Sequence, residues 1–309
     1  MGLVPVAPLP VRDGLNPTRL RLPAEGPWPT VVAYLRDGFR GEITGLEHKL
    51  ATRELVNERG AVIDEASPFV PLGSVYLYRD PLPEKRVPYE IEILYDNNDL
   101  LVIDKPHFLA TTPRGSFIVE SATVRLRILY DLPELSPAHR LDRVTAGVLV
   151  FTKRREIRGA YQTLFAKRRV TKTYEAIASY DETLTFPLAV SSRIVKHRGT
   201  PRAEEEDGPA NAETVVELSE RRGDLARYLL HPRTGKTHQL RLHMATLGIP
   251  ILGDSFYPDL LDTPIDDYST PLQLLARSIA FEDPLSGKPR EFVSERSLSA
   301  WTLDGAPAE

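Results

Sequence analysis

The chain has 309 residues, 41% of them hydrophobic and 27% charged, with a formal net charge of −4; that is the make-up of an ordinary globular protein of about two domains. It has no cysteine, which excludes disulfides, thiolate nucleophiles and Cys-ligated zinc. No apolar run approaches the roughly 20 residues of a membrane span, and residues 1–10 lack a basic segment followed by an apolar stretch, so a cytoplasmic location without a secretory leader is expected.

In chain order, Pro5, Pro8, Pro10, Pro17, Pro23, Pro27 and Pro29 predict an extended arm over 1–29 with little regular structure. Residues 30–80 then read as a small unit. A short helix is predicted over 30–39, with Val31, Tyr34, Leu35 and Phe39 on one face, and a second over 50–58, stopped by Arg59-Gly60. Short strands follow at 61–64 and 75–78. Pro81, Pro83 and Pro88 mark 81–88 as a linker, because proline ends regular structure on either side.

From Tyr89 a larger domain is predicted, running to about residue 300 and leaving 301–309 as a tail. Apolar runs at 91–95 and 100–104 flank Asp96-Asn97-Asn98-Asp99, a hairpin signal. Residues 139–147, His-Arg-Leu-Asp-Arg-Val-Thr-Ala-Gly, precede the apolar run Val148-Leu149-Val150-Phe151, which holds the Asp142 carboxylate at the mouth of a sheet. Ile157, Ala160, Tyr161, Leu164 and Phe165 recur at helical spacing over 154–167. A strand rich in aromatic and β-branched residues is expected over 171–180. Strands and helices do not alternate steadily, so the expected fold class is α+β, with a large, mostly antiparallel mixed sheet and helices packed on it.

A second conspicuous segment is Arg233-Thr-Gly-Lys-Thr-His-Gln-Leu-Arg241. A strand is expected to end at Pro232, Gly235 to permit a tight turn, Thr237 to cap a helix running to about Leu247, and Gly248 to stop it. Arg233, Lys236 and Arg241 beside exposed helical amides predict a concentrated positive site. Residues 153–202 carry 12 Lys or Arg against 4 Asp or Glu, a basic footprint inside an acidic chain of the kind that attracts phosphate. His238 and His243 lie about 140° apart on a helix, whereas helical metal ligands sit four residues apart, so no metal is expected. Thr-Gly-Lys-Thr lacks the earlier glycine of a phosphate-binding loop.

The His139-Arg140-Leu141-Asp142 segment resembles the signature of RluA-type pseudouridine synthases. The 233–241 string resembles the second signature of that family, and the segments 250–257 and Asp104-Lys105-Pro106 are similar to it as well. The resemblance covers residues 89–300. It implies a pseudouridine synthase-like catalytic domain and an isomerase that converts specific uridines of structured rRNA or tRNA to their C-linked isomer, with RNA as partner, no cofactor and a monomer as the default state. It further implies that Asp142 is the nucleophile and that Arg241 pairs with it. Since burial would disfavour the charged carboxylate, such a cation has to oppose it. Arg140 would enter the space left by a flipped base, and Tyr174 would stack on that base and assist proton removal from C5. The 30–80 unit, by its residue order over 54–64, resembles a degraded S4-type RNA-binding domain, with a structural docking domain as the alternative.

The sequence departs from the family pattern where Ala146 stands for Ser, His107 for Gly, and Leu275 and Asp283 for His. Each assignment has a structural competitor: Asp142 as a turn residue, Tyr174 as half-buried packing, Arg140 and Arg241 as ion-pair donors. His139, His238 and His243 are expected to be structural hydrogen-bond residues. A non-catalytic RNA-binding protein on the same fold is the alternative function. A kinase loop is excluded by the displaced Asp and by the absence of a Gly-rich nucleotide loop.

Overall fold

A computed structural model of the chain describes residues 7–38 and 45–302. Phe39, residues 1–6 of the expected arm and residues 303–309 of the expected tail lie outside them. The chain divides into two units, Met1–Glu84 with Val124–Pro133, and Lys85–Thr123 with Glu134–Glu309.

In the first unit, strand β1 (Thr18–Arg21) precedes helices α1 (Val31–Gly38) and α2 (Leu46–Ala51) and strands β2 (Val56–Asn57) and β3 (Ser74–Leu77). The three strands form an antiparallel sheet in the order β1-β3-β2. Thr30 caps α1 by accepting a hydrogen bond from the Ala33 amide at 3.2 Å, and Val31, Val32 and Leu35 face a core with Leu55, Val75 and Leu77. The stretch read as an arm therefore contributes a strand, because proline-punctuated extended backbone needs only an open sheet edge to pair with. The helix expected over 50–58 does not form. Arg53 adopts φ 59°, the Glu54 amide turns back to the Lys49 carbonyl at 2.8 Å, and Val56 instead pairs with Tyr76. A β-branched residue beside an open strand has overridden a weak helical period.

The second unit carries β4 (Glu92–Asp96), β5 (Leu100–Lys105), helix α3 (Ala122–Leu129), which starts in this unit, β6 (Ser136–Pro137), β7 (Ala146–Thr152), α4 (Arg155–Ala166), β8 (Val170–Ser179), β9 (Leu188–Ser192), β10 (Ile194–Val195), β11 (Glu204–Glu205), β12 (Ala212–Arg222), β13 (Leu225–Pro232), α5 (Gln239–Thr246), β14 (Leu274–Glu282) and β15 (Pro289–Val293). Ten of these strands make one mixed sheet, in the order β4-β5-β7-β14-β8-β13-β12-β9 with β15 on β14 and β6 on β7. Among the described residues, β7–β14 is the one parallel pairing of this sheet. The α+β class and the mostly antiparallel sheet match the expectation.

Two local devices set the centre of this sheet. β5 and β7 are buried along their whole lengths, which fits their nearly continuous apolar sequence. Gly147 on β7 has φ 110°, and a Cβ there would lie 2.3 Å from the Ala276 carbonyl oxygen; only glycine lets β14 run parallel to β7 at this point. The helices then cover the sheet. Ile157, Tyr161 and Leu164 of α4 pack with Val102, Val148 and Val150, while Leu240 and Met244 of α5 pack with Ala176, Tyr228 and Leu230. Among the described residues no helix is long and apolar enough to cross a membrane.

Candidate active site

Asp142 lies between β6 and β7, in a loop whose backbone is tied down on three sides. Thr111 accepts a hydrogen bond from the Leu141 amide at 3.1 Å and donates its hydroxyl to the Leu141 carbonyl at 2.8 Å. The Lys105 ammonium donates to the carbonyls of Arg143, Pro106 and Leu109 at 3.2, 2.9 and 2.8 Å. His107 Nδ1 lies 2.8 Å from the Val144 carbonyl, and since a carbonyl only accepts, Nδ1 carries the proton. The Thr145 amide closes the turn onto the Asp142 carbonyl at 3.1 Å. The backbone on both sides of Asp142 is thus held by the chain that follows β5.

Burial pushes the His107 imidazole down to about 4, so it is neutral at neutral pH. Lys105 is wholly buried; desolvation drives its pKa well below the usual ammonium range, and the charge of Asp142 opposes that drift. Arg143 donates to the Phe108 carbonyl at 3.4 Å and lies over the Phe117 and Phe108 rings, 4.6 and 5.6 Å from their centroids.

Arg241 comes from α5 and is 3% exposed, and its Nη1 is 4.0 Å from Asp142 Oδ2. Asp142, expected to be buried, has a side chain that is one-third exposed. Its carboxylate is open on one side while the guanidinium behind it is sealed. Arg241 is also not devoted to Asp142. It makes a bidentate pair with Asp254, Nε to Oδ2 at 2.7 Å and Nη2 to Oδ1 at 2.6 Å, and Asp254 is as buried as Arg241. Burial works against the charge on Arg241, but the Asp254 hydrogen bonds and carboxylate, followed by Asp142, more than offset it and raise its pKa above the usual value. Asp254 is steadied in turn by the Phe256 and Tyr257 amides, 2.8 and 3.2 Å from Oδ1.

The start of α5 differs from the expectation. Thr237 does not cap it; His238 is the N-cap residue, in the left-handed conformation at φ 56°. Gly235 has no positive φ. No side chain caps α5; the Gln239 amide donates to the Lys236 carbonyl at 3.2 Å, while the Gln239 carboxamide accepts from the Thr234 hydroxyl at 2.7 Å and the Lys236 amide at 3.0 Å and so ties the preceding loop to the first turn. Gly248, at φ 79°, ends the helix as expected.

Tyr174 on β8 packs against the core beneath α5. Burial raises its phenol well above the ordinary tyrosine range, and the negative charge of Asp142 raises it further. It is therefore a neutral hydroxyl beside the carboxylate, suited to donating a hydrogen bond or offering a ring face, and poorly suited to acting as a phenolate base. Arg140 is exposed, two residues before Asp142. The structure thus brings Asp142, Arg241 and Tyr174 together and leaves Arg140 projecting from the same loop.

The three histidines carry structural bonds. His139 accepts the Val150 amide at 3.2 Å, stacks on Phe165 at 4.5 Å between centroids, and is pushed down to about 3 by burial. His243 bridges Thr214 and Ser192, and His238 meets the Tyr257 hydroxyl at 3.1 Å. Of the substituted positions, Leu275 is core beside Ala146, while Asp283 accepts bonds from Tyr161 and Arg290. Asp254, Lys105 and Thr111 were not singled out as site residues from the sequence. Asp254 and Lys105 fall inside the family-like segments 250–257 and 104–106, which was the available signal. Thr111 had none.

The chain is similar to known proteins over much of the second unit. A family model described as RNA pseudouridylate synthase matches residues 99–246. The Dual-specificity RNA pseudouridine synthase RluA of Salmonella typhi is 32% identical over 206 residues, covering 65% of this chain and 90% of that protein. Its Escherichia coli counterpart is 32% identical over 177 residues, 53% of this chain and 76% of that one. Pseudouridylate synthase RPUSD2 of mouse is 33% identical over 177 residues, covering 54% of this chain; the match spans only 30% of the mouse protein's length. The solved structure of Human RNA Pseudouridylate Synthase Domain Containing 4 superposes with a TM-score of 0.50 at 25% identity, over 65% of this chain and 87% of that one. With the signature loops, the sheet and these relatives in agreement, the chain belongs to the RluA-type family of RNA pseudouridine synthases.

Proposed function

We propose that this protein converts uridine to pseudouridine within folded rRNA or tRNA, with Asp142 as the reacting carboxylate. The observation that carries the reading is the pairing of a part-open carboxylate, on a loop braced by Lys105, His107 and Thr111, with a sealed guanidinium 4.0 Å behind it. The names of the relatives favour catalysis over a non-catalytic RNA-binding role.

In this reaction the bond between uracil N1 and ribose C1′ breaks, and its electron pair leaves with the uracil. The ionised Asp142 either attacks C1′ or takes a proton from the sugar. The detached uracil turns and C5 bonds to C1′, as the bond from Asp142 to C1′ breaks and frees the carboxylate or, on the other route, as Asp142 returns its proton to the sugar; one proton leaves C5 and one is taken up at N1, so the product is an isomer and no electrons are exchanged. Arg241, held by Asp254, keeps a fixed positive charge beside Asp142 without covering its open side. The target base must leave the stack to reach this carboxylate. Tyr174 supplies a ring face for it, and Arg140 extends from the loop to occupy the gap.

The test is isomerisation of RNA from cells lacking this protein, by the wild type and by Asp142→Asn. The wild type is expected to form pseudouridine and the variant to form none while keeping the wild-type thermal midpoint within a few degrees. Mapping the modified positions tells rRNA from tRNA targets. Undiminished isomerisation by Asp142→Asn would remove the reading.

A further inference from the structure

The 12 Lys and Arg residues between 153 and 202 do not form one basic face. Lys153 pairs with Asp96, Arg154 with Asp99 and Arg158 with Glu134. Arg202 spends its guanidinium on the carbonyls of Phe256 and Pro258 at 3.2 and 3.1 Å, and Lys196 donates to the His197 and Thr200 carbonyls. These cations are committed to holding the fold.

Lys172 is not. It stands on β8 two residues before Tyr174, so strand alternation puts both on one face, the face that continues into the core at Ala176 and Ala178. Its ammonium extends toward the second signature loop, where a Cβ on Gly235 would lie 3.7 Å from Nζ. Its charge also weighs on His139, at the foot of the Asp142 loop. Lys172 thus sits between the two loops that build the site. It is half-buried, and among the described residues no carboxylate, carbonyl or hydroxyl pairs with it. Burial lowers its pKa and no acid opposes the shift. Leaving an ammonium part-desolvated without a counter-charge costs stability, and a phosphate brought by the ligand would supply the missing anion.

The chain leading into β8 adds to this. Lys167, Arg168 and Arg169 form the turn after α4, with Arg168 at φ 57°; all three are exposed and carry no ion pair among the described residues. At roughly 3.3 Å per strand residue, Arg169 is about 10 Å along β8 from Lys172.

We propose that Lys172 binds a backbone phosphodiester of the RNA beside the nucleotide held at Tyr174, and that the Lys167-Arg168-Arg169 turn carries the strand onward from the site. This rests on the synthase reading given above and names the path of its substrate. Lys172 is a binding residue here, since it touches the phosphate and not the reacting atoms.

The test uses the full chain and RNA from cells lacking this protein, comparing wild type, Lys172→Met, Lys172→Arg and a triple Gln variant of 167–169. Lys172→Met is expected to raise KM about tenfold, to change kcat less than twofold, and to lower the slope of log affinity against log salt by about 0.7 to 0.9, the share of one phosphate. Its thermal midpoint is expected to equal or exceed that of the wild type, because an uncompensated charge has gone. Lys172→Arg is expected to keep KM within about threefold, and the triple variant to raise KM and lower the slope with kcat retained. A wild-type KM and salt slope in Lys172→Met would overturn the proposal, as would a loss of kcat and stability shared by Lys172→Met and Lys172→Arg. A wild-type protein that forms no pseudouridine would instead overturn the synthase reading beneath it.

Discussion

Replacing Asp254 with Asn tests whether the site depends on a carboxylate that never meets substrate. The change keeps the shape of the side chain and an oxygen to accept the Phe256 and Tyr257 amides, and it removes the negative charge. Arg241 and Asp254 are 3% and 1% exposed and joined by two short hydrogen bonds. Taking one partner from such a buried pair costs about 3–5 kcal/mol, because the remaining charge is left without compensation. In this protein Asp142, at 4.0 Å, is a second carboxylate within reach, so the loss should fall near the lower end, about 3 kcal/mol. For a unit of this size that corresponds to a midpoint roughly 6–12 °C lower. The relief has a catalytic consequence: Arg241 closes on Asp142, and a carboxylate locked in a tight pair is a poorer nucleophile. Urea unfolding and single-turnover isomerisation measure the two effects. A double variant, Asp254→Asn with Arg241→Met, should recover stability relative to Asp254→Asn alone and remain inactive. Should Asp254→Asn unfold within about 0.5 kcal/mol of wild type, below the usual cost of losing a buried charge partner, Asp254 would not be what holds the guanidinium.

Two further predictions concern the scaffold. His107 and His139 are held neutral by burial, at about 4 and about 3, against about 6.5 in an unfolded chain. Below pH 6.5 the unfolded state binds protons that the folded state refuses, so their contribution is intact above pH 6.5 and is lost as pH falls toward 4 and 3, by up to about 1.4 kcal/mol per pH unit for each histidine. Urea unfolding from pH 7.5 to 4.5 checks this; His139→Gln, whose amide oxygen can still accept the Val150 amide, should flatten the profile, and an unchanged profile would refute the assignment. Gly147→Ala should cost more than about 3 kcal/mol, since its Cβ would overlap Ala276 at a strained φ. Gly287→Ala, at φ 68° with open space around it, should cost about 1 kcal/mol. Equal midpoints for the two variants would sink the close-approach argument.

Much of the catalytic unit was legible because its signals are local. The Asn97 turn, the apolar runs of β5 and β7, the helical period of α4 and the Gly248 stop each depend on residues close in sequence. The helix expected over 50–58 failed because Val56 found a strand edge that no local pattern reveals. Thr237 is not the cap because the chain enters α5 through a left-handed His238, a loop conformation that no local pattern reveals. The basic block looked uniform in sequence; pairing with Asp96, Asp99 and Glu134 separates spent cations from free ones.

The sequence by itself determined the chemistry available to this protein: an aspartate in a turn before a buried strand, an arginine in a second signature, and an aromatic strand between them. Their places are readable because bonded neighbours and strand or helix periods encode them, and their roles are what the resemblance to the synthase signatures implies. Only the tertiary structure decided how the charges are shared. Arg241 is divided between Asp254 and Asp142, the carboxylate stays part-open while its cation is sealed, and among the described residues Lys172 is left without an acid. Such outcomes depend on distances between segments that are not neighbours in sequence, and on burial, which sets how strongly each charge is felt.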